Sequence, residues 1–383
     1  MLPITLVVLA GCLMTGLCFG LATSLKLAAA RRPDLSNEPG RGLLNAFNFL
    51  LIGLLLTASV PLDYFGVRTG FLIGCLVLSL GLALLSLSRP SGRASAQLIL
   101  AGFGVGLLYL GTIELMPRGL LGEQKAAASL LFGFVLIGFG GLLAGPLLEV
   151  LMATVGYRIT MLLFGILALV PMLLCYGALP EDFPQPVYNP LALLSTPTLW
   201  LAGLTFAFYT PLEAFVTVWI TAYLARHDQR DHAAGWVGWF WITFLGSRIL
   251  IGIFQHVYAI PDDYQPALLI VSALFAAVFL GNLLGSSSSA NAIWGIIALG
   301  LVLGPVLPTL LATLPRMPNV LGAPALAIAV VHSVGALGTV VLAPLVNRSA
   351  EERTPQQALW VPLILALLMT AASLVYTFSG NVR

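Results

Sequence analysis

Uncharged apolar runs long enough to cross a bilayer recur from one end of the 383 residues to the other. A spanning helix needs about 20 such residues. Inside lipid the backbone N–H and C=O groups find no water, so a run of this kind must close its own hydrogen bonds as a helix. The runs fall near residues 3–27, 42–62, 69–88, 94–116, 127–150, 157–178, 197–224, 234–257, 265–284, 291–314, 320–346 and 357–379. The expected class is therefore an all-α polytopic membrane protein with twelve transmembrane helices. Hydrophobic residues make up 59% and charged residues 8% of the chain, a balance foreign to soluble domains. The first run carries no basic residues before it and no small-residue cleavage pattern, so it is expected to be a span rather than a removable signal.

Several function classes are excluded on the same grounds. The net charge of +2 is mild and the Lys and Arg are scattered, so no nucleic-acid partner is expected. Cys12, Cys18, Cys75 and Cys175 fall inside the predicted spans without metal-ligand spacing and read as packing residues. No metal or cofactor is expected. No His-Glu-x-x-His, no Gly-x-Ser-x-Gly, no paired intramembrane aspartates and no Gly-x-x-x-x-Gly-Lys-Ser/Thr loop are present, which argues against an enzyme and against an ATP-driven pump.

The polar stretch from Pro180 to Pro190 contains four prolines and divides the runs six and six. The expected organisation is an N-terminal six-helix bundle over 1–179, a cytoplasmic Pro-rich linker over 180–196 and a C-terminal six-helix bundle over 197–383, the plan of carriers built from internal repeats.

The costliest side chains lie in the seventh and eighth spans. A charge at the bilayer centre is penalised by roughly 2.5–3.5 kcal/mol even on lenient scales, yet Glu213 and Arg248 both sit near mid-span. Helical spacing puts Tyr209, Glu213 and Thr217 on one face, and Trp241, Phe244, Arg248 and Gln255 on another. Two readings fit: a pocket that orients a polar solute, or a structural Glu–Arg clamp. Glu114 is either tied to Arg118 one turn on, or faces a cavity where it could carry a proton. His332 is either a titrating group or a packing histidine. Asn45 and Asn48, one turn apart, suit a hydroxylated substrate or each other. Pro211, Pro305, Pro308 and Pro324 fall in or near spans, where a freed carbonyl permits a bend.

The turn after the second span reads Ser59-Val-Pro-Leu-Asp63-Tyr-Phe-Gly66-Val-Arg68-Thr-Gly70. It resembles the signature loop of the major facilitator superfamily, G-x-L-x-D-R-x-G-R-R, in Asp63, Gly66 and Arg68, with Ser59 and Tyr64 departing from it. Gly102, Gly104 and Gly106 resemble the family's Gly-rich fourth helix; Gly138 through Gly145-Pro146 resemble its Gly-Pro helix; Gly156-Tyr157-Arg158 resembles its Gly-Trp-Arg turn. Plain helix packing explains the glycines equally well. Phe208, Tyr209 and Glu213, then Trp219 to Leu224, then Phe240, Trp241, Gly246 and Arg248 are similar to the proton-coupled fucose, glucose and galactose symporters of that family.

The resemblance implies alternating access between two bundles, with Asp63, Gly66 and Arg68 closing an inner gate. It implies a small, sugar-like solute, for which the residues read above offer Glu213, Arg248, Tyr209, Trp241, Asn45 and Asn48 as the expected binding groups. Proton coupling would fall to Glu114, Glu213 and His332, although residues 3–25 lack the acidic group those symporters carry in the first span. Export of an organic anion or amphipathic solute, with Arg248 as the anion site, is the alternative within transport. A transport-inactive receptor or scaffold is the alternative of another class, and would ordinarily bring a signalling domain or long tail.

The family orientation places both termini in the cytoplasm of a cell (inner) membrane protein, expected to be a monomer. The charge bias runs the other way. Lys26, Arg31, Arg32, Arg41, Arg89, Arg93, Arg158, Arg226, Arg230, Arg348 and Arg353 then lie outside, against Arg68, Arg118, Lys125, Arg316 and Arg383 inside. A topology reporter fused after Asp182 is expected to report cytoplasm; an external signal would reverse the orientation.

Overall fold

The computed structural model describes residues 2–31, 47–87, 94–178, 189–225, 233–258, 260–285, 288–352 and 354–379. Among these residues sixteen α-helices follow one another: α1 (Leu2–Arg31), α2 (Phe47–Phe65), α3 (Val67–Leu87), α4 (Ala94–Gly119), α5 (Ala126–Thr154), α6 (Gly156–Leu167), α7 (Leu169–Ala178), α8 (Pro190–Leu194), α9 (Pro197–Ala225), α10 (Ala233–Tyr258), α11 (Gln265–Gly285), α12 (Ser289–Leu303), α13 (Val306–Thr313), α14 (Pro324–Glu352), α15 (Pro355–Ala358) and α16 (Trp360–Phe378). Among the described residues ten helical segments are long and apolar enough to cross a membrane, with Ile52–Phe65 a shorter apolar helix. The 29-residue α9 is equally apolar. The architecture is that of an all-α, multi-pass membrane protein.

Two of the crossings are broken, and prolines explain where. α6 gives way to α7 at Ala168; Pro171, three residues on, has no N–H to offer the Leu167 carbonyl. α12 gives way to α13 at Gly304, where Pro305 and Pro308 follow. The 180–196 segment expected as linker includes the short helix α8, and 179–188 lie outside the described residues.

The chain falls into two compact units. The first comprises Met1–Pro190 with Gly322–Ala329, and the second Leu191–Leu321 with Val330–Arg383. Within the first, α1 crosses α5, α2 crosses α4 and α3 crosses α6. Within the second, α9 crosses α14 at Gly335 and Gly338, α10 crosses α12, and α11 crosses α16. Numbered by crossing, each unit thus pairs its first with its fifth, second with fourth and third with sixth. The two units repeat one pairing pattern.

Small residues set these crossings because lipid offers no hydrophobic drive, and close backbone approach is what gains packing energy. A Cβ on Gly140 would lie 2.6 Å from the Leu13 carbonyl oxygen and 3.1 Å from Gly16 Cα. On Gly16 it would run into the Ile137 carbonyl, and on Gly104 into the Leu78 backbone. The Gly-rich stretches of the fourth and fifth crossings therefore serve helix packing here.

Gly140→Ala is expected to lower the thermal midpoint of the detergent-solubilised protein by several degrees, since overpacking costs about 1–3 kcal/mol. Its neighbour Gly141 has only the Gly16 carbonyl within reach, at 3.7 Å, so Gly141→Ala is expected to leave the midpoint nearly unchanged. Equal shifts would contradict the α1–α5 crossing.

Candidate functional site

Phe240, Phe244 and Arg248 repeat at a spacing of four along α10, so they share one face of that helix. Between them Thr243 and Ser247 are small, and α12 meets them with glycines. A Cβ on Gly300 would strike Thr243 and the Phe240 carbonyl, and on Gly304 would strike Ser247 and the Phe244 carbonyl. The two backbones come close enough for a side chain of α10 to reach the main chain of α12. Arg248 does so, its Nε donating to the Gly304 carbonyl oxygen at 2.7 Å.

That carbonyl is available for a definite reason. In an unbroken helix the N–H four residues on would occupy it, and that residue is Pro308. The ladder runs normally on either side, with Gly304 N donating to Gly300 O at 3.1 Å and Thr309 N donating to Pro305 O at 3.0 Å. Proline thus creates an acceptor inside the unit, and Arg248 satisfies it. The guanidinium also stands 4.4 Å from the centre of the Phe244 ring, a cation–π contact, and the residue is only 6% exposed.

The acidic partner comes from α9, near whose middle Glu213 sits half-buried, within electrostatic reach of Arg248. Tyr209 lies one turn earlier on the same face, its hydroxyl beside both charged groups. Phe206 stacks on Tyr209 at 5.6 Å and receives the His332 ring edge-on at 5.3 Å. Thr210 donates to the Gly335 carbonyl at 2.7 Å, holding α9 to α14. Trp241 packs edge-on to Phe240 at 5.3 Å and Phe244 at 5.2 Å.

The structure therefore gathers Glu213, Arg248, Tyr209, Trp241 and His332 in the second unit. Tyr209 is fully buried; it reaches the charges from beneath Phe206. The side chain of Thr217, expected on the Glu213 face, lies outside the described residues. Gln255, expected on the Arg248 face, is bonded to Gln265 at 3.0 Å. Sequence reasoning missed the Gly304 carbonyl, although its signal was present: a proline four residues after any span residue frees that residue's carbonyl.

In the first unit the signature residues act as helix caps. The structure extends α2 to Phe65, so Asp63 belongs to the last helical turn and not to the connecting turn; the connection is Gly66 alone, at φ +90°, a conformation that favours glycine. Asp63 Oδ1 accepts from Ala325 N and Oδ2 from Leu326 N, both at 2.9 Å. These amides belong to the first turn of α14, where no intrahelical acceptor exists. Each such charged bond contributes about 1.5–3 kcal/mol. Arg68 does the converse: its Nη2 donates at 3.4 Å to the Tyr176 carbonyl in the last turn of α7. Gly156 likewise has a positive φ, +77°, as a sharp turn before α6 requires.

Glu114 is half-buried on α4, and Arg118 donates to Glu123 Oε1 at 2.7 Å; the expected Glu114–Arg118 clamp thus has a competitor for its cation. Asn45 lies outside the described residues, and of Asn48 only the backbone, in α2, is described. Among the described residues no three His, Cys, Asp or Glu side chains converge on a metal position.

No protein-family model and no curated protein sequence matches the chain. Solved structures do. A variant of the E. coli fucose:proton symporter FucP superposes with a TM-score of 0.74 at 13% identity, over 98% of both chains. The human organic anion transporter MFSD10 (TETRAN) gives 0.76 at 15% identity, over 97% of this chain and 99% of its own. The proton:xylose symporter XylE bound to 6-bromo-6-deoxy-D-glucose gives 0.69 at 18% identity, over 100% and 96%. From end to end, the chain has the fold of the major facilitator superfamily.

Proposed function

We propose that this protein is a secondary carrier that presents one binding site to the two faces of the membrane in turn, and that its cargo is a small, polar, sugar-like solute. The observation that carries this reading is the Glu213, Tyr209 and Arg248 cluster deep in an apolar unit. A charge pair at that depth costs more to bury than a pair of apolar side chains would. A site that must recognise hydroxyl groups needs what this cluster has: a carboxylate that accepts, a guanidinium that donates, and aromatic rings beside both. Trp241 is the ring that a sugar face would stack against.

Arg248 is fixed through Nε by Gly304, which holds its guanidinium where Glu213 and a solute's oxygens can both meet it. Solute bound there, or a proton on Glu213, weakens the attraction between the two charges. The break at Gly304 is the element placed to respond. Proton coupling through Glu213, with Glu114 and His332 as further groups, is consistent with the fold likeness to two proton-coupled sugar symporters. Asp63, Gly66 and Arg68 fit a gate at the end of the first unit where α2 meets α3. In keeping with that family plan the reading places a monomer in the cell membrane with both termini cytoplasmic. An organic-anion cargo is the second reading, favoured by the fixed guanidinium of Arg248 and the likeness to an organic anion transporter.

Thermal stabilisation of the purified protein across neutral sugars and organic anions, followed by uptake of the best solute into proteoliposomes, separates the two cargo classes. A neutral sugar should stabilise most. Glu213→Gln is expected to lower uptake about tenfold or more, the loss of one charged hydrogen-bonding partner, and to abolish the response to a pH gradient. Undiminished, pH-responsive uptake by that variant would remove Glu213 from the mechanism.

Pro308→Ala supplies the backbone N–H that the Gly304 carbonyl lacks, and this N–H competes directly with Arg248. Helix propensity improves with the change, so the thermal midpoint is expected to hold or rise while uptake falls severalfold. A variant that transports normally would show that the Arg248–Gly304 bond is dispensable.

A further inference from the structure

α13 is a short rod partly detached from the helix before it. The main-chain bond that would tie position 308 to the Gly304 carbonyl is missing, and Arg248 of α10 takes that carbonyl. All eight residues of α13 are buried, and the rod packs against α11. Close-packed segments transmit displacement and do not absorb it. What fixes such a rod in place is therefore what holds its two ends.

The near end is held by Arg248. Side chains hold the far end. The Thr313 and Tyr376 hydroxyls, both buried, are hydrogen-bonded at 2.5 Å. Three residues on, Arg316 Nη1 donates to Asp263 Oδ1 at 2.5 Å. Asn319, at φ +65°, donates from Nδ2 to the Ala192 carbonyl and to the Thr196 hydroxyl, at 3.3 Å each. Asp263 belongs to the connection that follows α10. The α10 segment and its connection thus grip the rod at both ends, at Gly304 and at Arg316, which are about 18 Å apart at 1.5 Å per residue. With Asp263 77% exposed, the ion pair is weak taken alone; its place at the end of a buried rod is what gives it leverage.

We infer that α13 is a coupling rod, through which the buried Arg248–Gly304 contact and the exposed Arg316–Asp263 contact are held or released together. Freeing Gly304 leaves α13 to its far ties, and cutting the far ties loosens the seat of Gly304 on Arg248; coupling of this kind is reciprocal. The inference does not depend on the carrier reading, because it concerns two contacts within the second unit and no cargo.

The test is the rate at which N-ethylmaleimide labels Met317→Cys in the purified full chain in detergent. Met317 is 3% exposed, so labelling reports opening of the far end. The four native cysteines are buried, and the chain without Met317→Cys supplies the background rate. Asp263→Asn is expected to raise the rate about threefold, the scale of an exposed ion pair. Tyr376→Phe, which cuts a different far tie, is expected to raise it about fivefold, the scale of one buried hydrogen bond. Pro308→Ala gives the Gly304 carbonyl a main-chain donor and ties α13 directly to α12, so in that chain both increases are expected to shrink by half or more. Changes this far apart ordinarily act independently. Equal fold-changes with and without Pro308→Ala would therefore overturn the inference, as would rates unmoved by both Asp263→Asn and Tyr376→Phe. Leu314→Cys, also at a buried position, is the second reporter should Met317→Cys fail to fold.

Discussion

Everything in this fold answers to one constraint: at membrane depth each backbone carbonyl and amide must find a partner within the protein. Regular helix meets the demand by itself. At three places where a proline or a helix end interrupts it, a side chain takes over. Arg248 does this for the Gly304 carbonyl, Asp63 for the Ala325 and Leu326 amides, and Arg68 for the Tyr176 carbonyl. Several of the chain's few charged residues are thus committed to main-chain gaps before any solute is considered. The same logic explains why Arg248 tolerates its burial: a donor with a fixed acceptor and a ring beneath it is far less costly than a bare cation.

The second organising device is steric. Glycines at Gly16, Gly140, Gly104, Gly300, Gly304, Gly335 and Gly338 stand where a Cβ would collide with backbone or rings of the facing helix. Close approach is what lets an α10 side chain reach the α12 main chain at all. Packing and the candidate site are therefore not separable: Gly304 is at once the small residue that admits α10 and the residue whose carbonyl holds Arg248.

Fold class was legible from the chain because lipid imposes a length and a polarity that few residues can violate, and 8% charge over 383 residues is a loud signal. Glu213 and Arg248 stood out for the same reason, and helical spacing placed Tyr209 with Glu213. Partners across the chain were not legible. Nothing local to Asp63 indicates Ala325 and Leu326, more than 260 positions away by the bonds themselves, and nothing local to Gln255 indicates Gln265 rather than Arg248's surroundings. Broken crossings were half-legible: Pro171 and Pro308 are visible, but whether a helix bends or stops depends on which neighbour donates to the freed carbonyl. The repeat is carried by pairing geometry, which different side chains satisfy equally.

The Arg248–Gly304–Pro308 arrangement also makes the order of genetic change matter. A lineage that first replaces the proline closes the ladder, after which the arginine is redundant as a cap and stays for its place beside Glu213 and Phe244. A lineage that first replaces the arginine strands a carbonyl with no donor and bears the full cost of desolvating it, about 1–3 kcal/mol. Of the two routes away from this arrangement, only the one that begins at position 308 keeps a donor on the Gly304 carbonyl throughout.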